Sequence, residues 1–332
     1  MSVMSRSSRL IGAGVAALLA ATALAGCSSS APAAEAETAP TENAAAESWP
    51  RTFENADGTT TEIPAQPESI ASTSVTVTGT LLAIGAPVTA SGAAGNGKFF
   101  AQWADIAQEE GVSTLWPAGE VDLEAVHGAA PDLIVVSTSG ADSVADQVAQ
   151  LQEIAPTIVV DYGGQTWEQL AEQLGEALGM EKEAEETVSA FDAYVADAAT
   201  KITVPAGAAN IVSYNGAGED NPIGKTTGPH AKLLQSLGFT IEEPDAAWHT
   251  QANQRQDFVF ASFENLTQLT GETTFALSVD NEGAKALAAD PVLANIPSVK
   301  AGQVYGLGAN SFRVDKYSAT EIVDGVVANF AK

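Results

Sequence analysis

Short β-rich runs alternate with helical stretches along most of the chain, and this alternation constrains the fold more than any other feature. Strands that alternate with helices form parallel, doubly wound sheets, so the pattern predicts an α/β fold. The predicted strands are Ser69–Ser74, Val88–Ala90, Leu133–Ser137, Thr157–Val160, Asn210–Tyr214, Phe258–Phe260, Thr273–Val279 and Gln303–Tyr305. The predicted helices are Thr80–Ile84, Phe99–Glu110, Leu123–His127, Ser143–Gln152, Pro229–Leu237, Glu264–Leu269, Ala284–Ala288 and Ser318–Phe330, the last opening with Ser318 and Glu321 at capping-box spacing.

The segment Thr166–Ile202 breaks this alternation, because it contains no strand pattern and no proline. Beyond Gly179, apolar residues recur three and four positions apart, which is typical of one face of a helix. They are Ala184, Val188, Phe191, Val195, Ala198 and Ile202. A helix of about 20 residues is ~30 Å long, enough to reach from one lobe to the next. The alternative is a crossover helix inside one large sheet.

The predicted architecture is therefore two Rossmann-like α/β lobes joined by a single long helix, with a cleft between the lobes. The N-terminal lobe is assigned to residues 49–165, the connecting helix to residues 166–202 and the C-terminal lobe to residues 203–332. A chain of this length exceeds one typical core and fits a bilobal unit.

The first 26 residues have the features of a signal peptide. Arg6 and Arg9 precede an apolar run from Leu10 to Ala25, and no acidic residue occurs before the single cysteine. Leu24–Cys27 resembles the lipobox of bacterial lipoproteins, so Cys27 is expected to be lipidated and to anchor the chain on the extracytoplasmic face of the cell membrane. The alternative, one transmembrane helix, is disfavoured because the run is short and rich in Ala and Gly for a ~30 Å bilayer core.

Residues 27–48 are predicted to form a lipidated, disordered tether, because the segment from 28 to 48 has no large apolar side chain. Residues 1–26 hold two of the 14 basic side chains and none of the 42 acidic ones, so the remaining chain has a formal charge of −30. Such a surface repels nucleic acid, which excludes nucleic-acid binding as the function.

The motifs of common enzyme classes are missing from the sequence. It contains no G-x-S-x-G, H-E-x-x-H, Walker A or C-x-x-C pattern. The three histidines, His127, His230 and His249, are far apart, whereas a transition-metal site usually groups two or three imidazoles or thiolates. We therefore expect a binding protein without catalytic residues, resident metal or cofactor, and we interpret His127 as structural.

The C-terminal part of the chain, at Asp290–Leu293, Ile296–Tyr305 and Ser311–Thr320, resembles the ferric-enterobactin binding proteins among the iron-siderophore substrate-binding proteins. The resemblance extends over residues 53 to 330. Supporting segments are Ala90–Gly92, Pro131–Ile134, Ile154–Thr157 and Leu234–Phe239. It implies the class III periplasmic-binding-protein fold, with two α/β lobes joined by one long helix. It also implies a monomer that binds an iron(III)-siderophore, favoured to be catecholate or mixed, and delivers it to an ABC transporter permease and its ATPase.

A siderophore occupies the coordination sphere of Fe(III), so such a protein supplies shape, aromatic faces and positive charge rather than metal ligands. Ligands of open α/β sheets bind beyond the carboxyl ends of the strands. The loops expected there contain the candidate ligand-binding residues Lys98, Phe99, Tyr214, Lys225, Trp248, Arg255 and Arg313. The alternatives are surface cations and core aromatics and, for Arg313, a structural salt bridge with Asp315. Trp103 and Trp167 are interpreted as core residues.

The sequence departs from the enterobactin binders at two ligand-facing positions. The loop Ala93–Gly97 looks shorter and lacks an arginine, and Gly224 and Lys225 replace a tryptophan. A hydroxamate or mixed-ligand chelate therefore remains open.

Docking to the permease is the second function that the resemblance implies. Glu124 and Glu264 match the glutamates, one on each lobe, that pair with permease arginines in the family. The alternative is that both are solvated carboxylates favoured by a helix N-terminus.

Two other functions are also consistent with the sequence. A cobalamin or haem binder would have the same fold, and a haem binder would need an axial ligand, for which Tyr214 and His249 are the first candidates. A lipid-anchored enzyme with an unusual site is the more distant alternative, since fold alone does not determine function.

Overall fold

The structure is a computed structural model that describes residues 49–332. The predicted signal peptide, Cys27 and the tether lie outside the described residues. All described residues belong to one compact unit. None of its helices is both long and apolar enough to cross a membrane.

The first sheet has five parallel strands in the spatial order β5-β4-β3-β6-β7. Its inner strand β6 is a run of buried residues, Leu-Ile-Val-Val-Ser, as expected where helices cover both faces of a parallel sheet. The strands are β3 (Ile70–Ser72), β4 (Val88–Ala93), β5 (Ser113–Pro117), β6 (Leu133–Ser137) and β7 (Thr157–Val160), preceded by the antiparallel pair β1 (Arg51–Glu54) and β2 (Thr60–Ile63). The helices are α1 (Val75–Ala83), α2 (Ala104–Glu109), α3 (Leu123–Ala129) and α4 (Val148–Leu151).

The second sheet has six strands and is mixed, whereas the alternation predicted parallel sheets. Its path is β11-β9-β8-β12-β13, with β10 paired to β8, and β9 is antiparallel to both of its neighbours. The strands are β8 (Ala208–Val212), β9 (Asn221–Gly224), β10 (Thr240–Ile241), β11 (Phe258–Ala261), β12 (Thr273–Ala276) and β13 (Val304–Gly306). The helices are α7 (Pro229–Ser236), α8 (Asn281–Ala288), α9 (Pro297–Ala301) and α10 (Lys316–Phe330). Strand β9 was not predicted, because Asn-Pro-Ile-Gly combines residues that are depleted in strands.

Residues 166–202 form two helices rather than one connecting helix. Helix α5 (Trp167–Leu178) ends at Gly179, whose φ of 68° is left-handed, and α6 (Glu181–Lys201) follows. The predicted stripe lies on α6, where Ala184, Val188, Phe191, Val195 and Ala198 are buried. Helix α5 packs on α1 and α6, and α6 also packs on α7 and α10. Helix α6 is therefore the long helix between the two sheets, while the proposed lobe limits at 165 and 203 stay predictions.

One large apolar core is shared by both sheets, since it joins Leu81 of α1, Phe191 of α6, Phe275 of β12 and Val323 of α10. A smaller core lies in each lobe. Trp103 and Trp167 are 1% and 3% exposed, which confirms that both are core residues.

Helix α10 begins two residues before the predicted start. Its N-cap is Asp315, whose carboxylate accepts hydrogen bonds from the backbone N–H groups of Tyr317 and Ser318, both at 2.9 Å. The Ser318 hydroxyl accepts from the Asp315 N–H at 3.0 Å, which completes the capping box. The predicted Ser318–Glu321 box was wrong because Ser318 is the third helical residue and not the cap.

Candidate functional site

A cavity lies where the loops of the two lobes meet. It has a volume of about 30 Å³, and its walls include Thr76, Tyr162 and Trp167 on one side and His230, Asp257 and Arg313 on the other. A second cavity of about 240 Å³ shares Phe312 and Arg313 and is bordered by Phe100 and Gln102 of the first lobe. Arg313 thus faces both cavities.

Tyr162 follows strand β7 at the carboxyl end of the first sheet. Its hydroxyl donates to Asp142 Oδ1 at 2.9 Å, and Asp142 Oδ2 accepts from Ser74 Oγ at 2.6 Å and from the Thr76 N–H at 3.2 Å. The phenol is therefore fixed to the first turn of α1. Burial, reinforced by the Asp142 charge, raises the pKa of Tyr162, so the phenol is neutral at physiological pH.

Gly140 makes this anchoring possible. Its φ is +86°, and a Cβ at this position would lie 1.7 Å from the Tyr162 hydroxyl and 2.6 Å from Asp142 Oδ1. Both the backbone conformation and the space require glycine.

Arg313 is half-buried in the chain segment before α10. Its Cζ lies 5.8 Å from the centre of the Tyr162 ring and 4.8 Å from that of Phe312, within cation–π range. Among residues 49–332 its guanidinium has no carboxylate or hydrogen-bond partner. The expected alternative, a salt bridge with Asp315, is not formed. An uncompensated cation in so acidic a protein is available to an anionic ligand.

Arg255, in contrast, is compensated by a carboxylate. Its guanidinium donates two hydrogen bonds to Asp257, at 2.8 Å and 2.7 Å, and these bonds raise the pKa of Arg255. The charge of Asp161 in the first lobe acts in the same direction. Lys225 Nζ donates to the Arg255 carbonyl at 3.2 Å. These two predicted residues thus lie together, and Arg255 lies near the loop after β7.

His230 supports the segment that carries Arg313. It is buried, and its Nε2 lies 2.7 Å from the Ser311 carbonyl oxygen, which can only accept, so Nε2 carries the proton. Burial lowers the pKa of His230 to about 4, which keeps the ring neutral at physiological pH. The ring packs on Phe258 at 5.4 Å, and Phe258 stacks on Phe312 at 5.5 Å.

The other candidate ligand-binding residues lie away from the 30 Å³ cavity. Lys98 is exposed, and Phe99 packs on Trp103 at a centroid distance of 5.2 Å. Tyr214 and Trp248 pack against the smaller core of the second lobe, and the Tyr214 hydroxyl donates to Asp290 at 2.6 Å. The second haem-ligand candidate, His249, accepts the Phe260 N–H at its Nδ1, at 3.1 Å.

The two candidate docking residues are exposed, one in each lobe. Glu124 lies in the first turn of α3, after its N-cap Asp122. Glu264 lies at the start of a 3-10 helix, Phe263–Gln268, rather than of an α-helix.

Sequence reasoning missed several residues of the site. Tyr162 lies two residues after the predicted strand Thr157–Val160. Because ligands of open α/β sheets bind beyond the carboxyl ends of the strands, this position could have marked Tyr162 as a candidate. Phe312 lies next to the predicted Arg313. Nothing in the sequence marks His230 or Asp142 as part of a cleft, because their partners are distant along the chain.

No group of three or more His, Cys, Asp or Glu side chains within residues 49–332 is arranged to hold a metal ion. The polar and aromatic side chains described above interact through hydrogen bonds and ring stacking.

The family model described as periplasmic binding protein matches residues 70–311. The ferric enterobactin-binding periplasmic protein FepB of Escherichia coli is 38% identical over 292 residues, which cover 85% of this chain and 91% of that protein. A probable siderophore-binding lipoprotein of Bacillus subtilis, YfiY, is 25% identical and covers 71% of each chain.

Two solved structures illustrate the likeness of fold. The crystal structure of holo-ViuP superposes with a TM-score of 0.85 at 52% identity, covering 86% of this chain and 96% of that one. The crystal structure of SirA from Staphylococcus aureus complexed with staphyloferrin B has a TM-score of 0.65 at 19% identity, covering 84% and 96%. The latter shows a common fold alone.

Proposed function

The chain belongs to the periplasmic binding protein family, and we therefore propose that it is the substrate-binding component of an ABC importer and captures a ferric siderophore between its two lobes. The likeness to FepB and to a siderophore-binding lipoprotein supports this class of ligand. The proposed role is capture and delivery, without chemical change of the ligand.

The observation that carries the proposal is that Arg313 has no counter-ion among the described residues. A half-buried guanidinium without a counter-ion lies over the Tyr162 ring and between the two lobes. A ferric catecholate complex has a net negative charge and flat aromatic faces. A guanidinium beside aromatic rings offers charge-assisted hydrogen bonds and stacking to such a ligand. We propose a catecholate or mixed chelate for this reason.

The chelate also explains why no protein metal ligand is needed. The iron enters with its coordination sphere filled by chelator oxygens, so the protein recognises the outside of the complex. Lys225 and Arg255 remain proposed contacts beside the cleft, with the charge of Arg255 balanced by Asp257. The residues Lys98, Phe99, Tyr214 and Trp248 remain proposed contacts on the rims of the cleft.

Binding is tested by titrating the purified chain, residues 27–332, with ferric catecholates, ferric hydroxamates and haem, each beside its iron-free form, and with cobalamin. We expect saturable, submicromolar binding of a ferric catecholate. Binding of haem or cobalamin without binding of any ferric chelate would overturn the siderophore assignment and leave the family unchanged.

The role of Arg313 is tested by Arg313→Gln with Lys300→Gln as the matched control. Both remove one positive charge, but Lys300 is exposed on α9. We expect Arg313→Gln to weaken ferric catecholate binding at least tenfold, about 1.4 kcal/mol, and Lys300→Gln to change it less than twofold. Equal effects would show that only net charge matters.

Delivery to a permease is proposed through Glu124 and Glu264. The supporting observation is their exposure on separate lobes, away from the cavity residues. The double variant Glu124→Ala/Glu264→Ala should bind the chelate normally but fail to support its uptake by cells. Normal uptake would reject both residues as docking sites.

Lipid anchoring at Cys27 is proposed from the sequence and from the lipoprotein relative. Cys27→Ala should move the protein from the membrane fraction to the soluble fraction of cells. An unchanged membrane association would reject the lipid anchor.

A further inference from the structure

Two buried polar groups in the wall of the 30 Å³ cavity have no hydrogen-bond partner among the described residues. They are the Thr76 hydroxyl and the Trp167 indole N–H, on side chains of residues that are 8% and 3% exposed. A buried polar group without a partner destabilises the folded state, and native structures contain few of them. Two such groups at one cavity indicate that a group from outside the protein binds there.

The two groups come from different helices. Thr76 lies in the first turn of α1, whose N-cap is Ser74, and Trp167 is the first residue of α5, whose N-cap is Thr166. The Trp167 ring packs edge-to-face on Phe191 of α6, with a centroid distance of 5.0 Å. Both groups are therefore held in place by elements of the fold rather than by a mobile loop.

The neighbouring polar groups already have hydrogen-bond partners within the protein. The Tyr162 hydroxyl donates to Asp142, the His230 Nε2–H donates to the Ser311 carbonyl, and both Asp257 oxygens accept from Arg255. The groups left over are the Thr76 hydroxyl, the Trp167 N–H and, on the opposite wall, the Arg313 guanidinium. Indole and guanidinium can only donate, and the Thr76 hydroxyl, which lies near the Tyr162 hydroxyl without hydrogen-bond geometry, can donate as well.

The size of the cavity limits what can enter. A water molecule needs roughly 10–15 Å³ of cavity volume. A cavity of about 30 Å³ therefore admits one or two oxygen-sized atoms and excludes a ring or an iron centre. The bulk of a chelate must lie outside, where the 240 Å³ cavity on the other side of Arg313 opens.

We propose that this cavity is a subsite for one acceptor oxygen of the chelator that does not coordinate the iron, held by Thr76, Trp167 and Arg313. This proposal rests on the proposed function and deepens it. In ferric 2,3-dihydroxybenzamides the amide N–H bonds to the adjacent ring oxygen, so the amide carbonyl points outward as a free acceptor. A free carboxylate on the chelator has the same acceptor chemistry, with an added charge for Arg313.

The test uses calorimetric titration of the chain 27–332 with three probes, each at chelator excess. They are ferric tris-catecholate, which has no free acceptor oxygen, ferric tris-(2,3-dihydroxybenzamide), and the ferric complex of 2,3-dihydroxybenzoate, which has free carboxylates. The variants are Thr76→Val, which keeps the shape of the side chain and removes the hydroxyl, and Trp167→Phe, which removes the indole N–H together with part of the ring system. Trp103→Phe is the matched control, because its indole N–H is also buried without a partner but lies outside this cavity.

We expect Trp167→Phe and Thr76→Val each to weaken binding of the amide or the carboxylate probe five- to thirtyfold. Binding of ferric tris-catecholate should change less than twofold, and Trp103→Phe should leave all three affinities unchanged. Whichever acceptor probe responds more strongly identifies the oxygen as carbonyl or carboxylate. Equal weakening of all probes, or of none, would overturn the subsite and leave ordered water as its occupant.

A second measurement does not depend on the ligand. Because the Thr76 hydroxyl has no partner in the protein, Thr76→Val should leave the thermal midpoint of the ligand-free chain unchanged or raise it. A clear fall for Thr76→Val would mean that this hydroxyl has a protein partner, which also overturns the subsite. If the unsubstituted chain bound no ferric chelate, the proposed function would fail, and the subsite with it. Binding without discrimination among the probes would overturn the subsite alone.

Discussion

Gln102 Nε2 donates a hydrogen bond of 3.0 Å to Asp315 Oδ2. Gln102 precedes α2 in the first lobe, and Asp315 is the N-cap of α10 in the second, so this bond joins the lobes beside the cleft. Burial raises the pKa of Asp315, and the bond from Gln102 opposes that effect by stabilising the charged carboxylate. The contact therefore links lobe–lobe packing to the protonation of one buried acid.

Gln102→Ala should lower the free energy of unfolding by about 1–3 kcal/mol at pH 7, because a buried carboxylate loses a donor. The lost bond favours the ionised form, so the deficit should be present above the pKa of Asp315 and shrink as the pH falls below it. Denaturant unfolding at several pH values measures this. Gln108→Ala, on the exposed side of α2, is the control and should be neutral. A deficit that is independent of pH would contradict the assignment to Asp315.

Gly140→Ala should destabilise the protein by more than ~1 kcal/mol and should also weaken chelate binding, because the new methyl group displaces the Tyr162 hydroxyl. Gly119→Ala is the matched control, since Gly119 has φ +92° but nothing within 4 Å of the added Cβ. The difference between the two variants isolates the steric effect from backbone strain. Thermal unfolding and calorimetric titration provide the measurements. Equal effects of both variants on binding would argue against a role for Tyr162.

Tyr162→Phe keeps the ring beneath Arg313 and removes the hydroxyl that donates to Asp142. We expect a loss of roughly 1–3 kcal/mol of stability, since Asp142 loses a donor, with chelate affinity within about threefold of the original. Tyr162→Leu removes the aromatic face as well and should weaken the chelate about tenfold. Calorimetric titration of both variants measures the difference. Equal affinities for the two variants would show that the aromatic face of Tyr162 does not contribute.

His230→Gln should reduce the pH dependence of stability. The folded pKa of about 4 lies below the unfolded value of 6.5, so the unfolded chain binds more protons between these pH values. The stability contributed by neutral His230 is therefore complete above pH 6.5 and is lost as the pH falls towards 4, by up to ~3 kcal/mol. Glutamine can still donate to the Ser311 carbonyl but does not titrate.

Denaturant unfolding from pH 7 to pH 4 measures this effect. The exposed His127 on α3 supplies the control, because His127→Gln should leave the slope unchanged. A slope for His230→Gln equal to that of the unsubstituted chain would show that other groups dominate acid unfolding.

Much of the fold follows from local sequence patterns. The predicted strands Leu133–Ser137 and Thr157–Val160 coincide with β6 and β7, because continuous apolar runs of that length suit strands buried on both faces. The stripe after Gly179 is the buried face of α6 for a similar reason, since helical periodicity is set by the repeat of the helix itself. Strand β9 was missed because a long-range pairing holds a segment whose own residues do not favour a strand.

The sequence by itself determined the family, the two-lobed α/β fold and the choice of Arg313 as a candidate. The tertiary structure decided that Arg313 has no counter-ion, because Asp315, two residues away, is turned to cap α10 and is bound by Gln102 from the other lobe. It also decided that Tyr162 lies against Arg313 and that Thr76 and Trp167 keep unused donors at the same cavity. Which distant group satisfies which polar atom depends on how the two lobes pack, and no local repeat encodes that pairing.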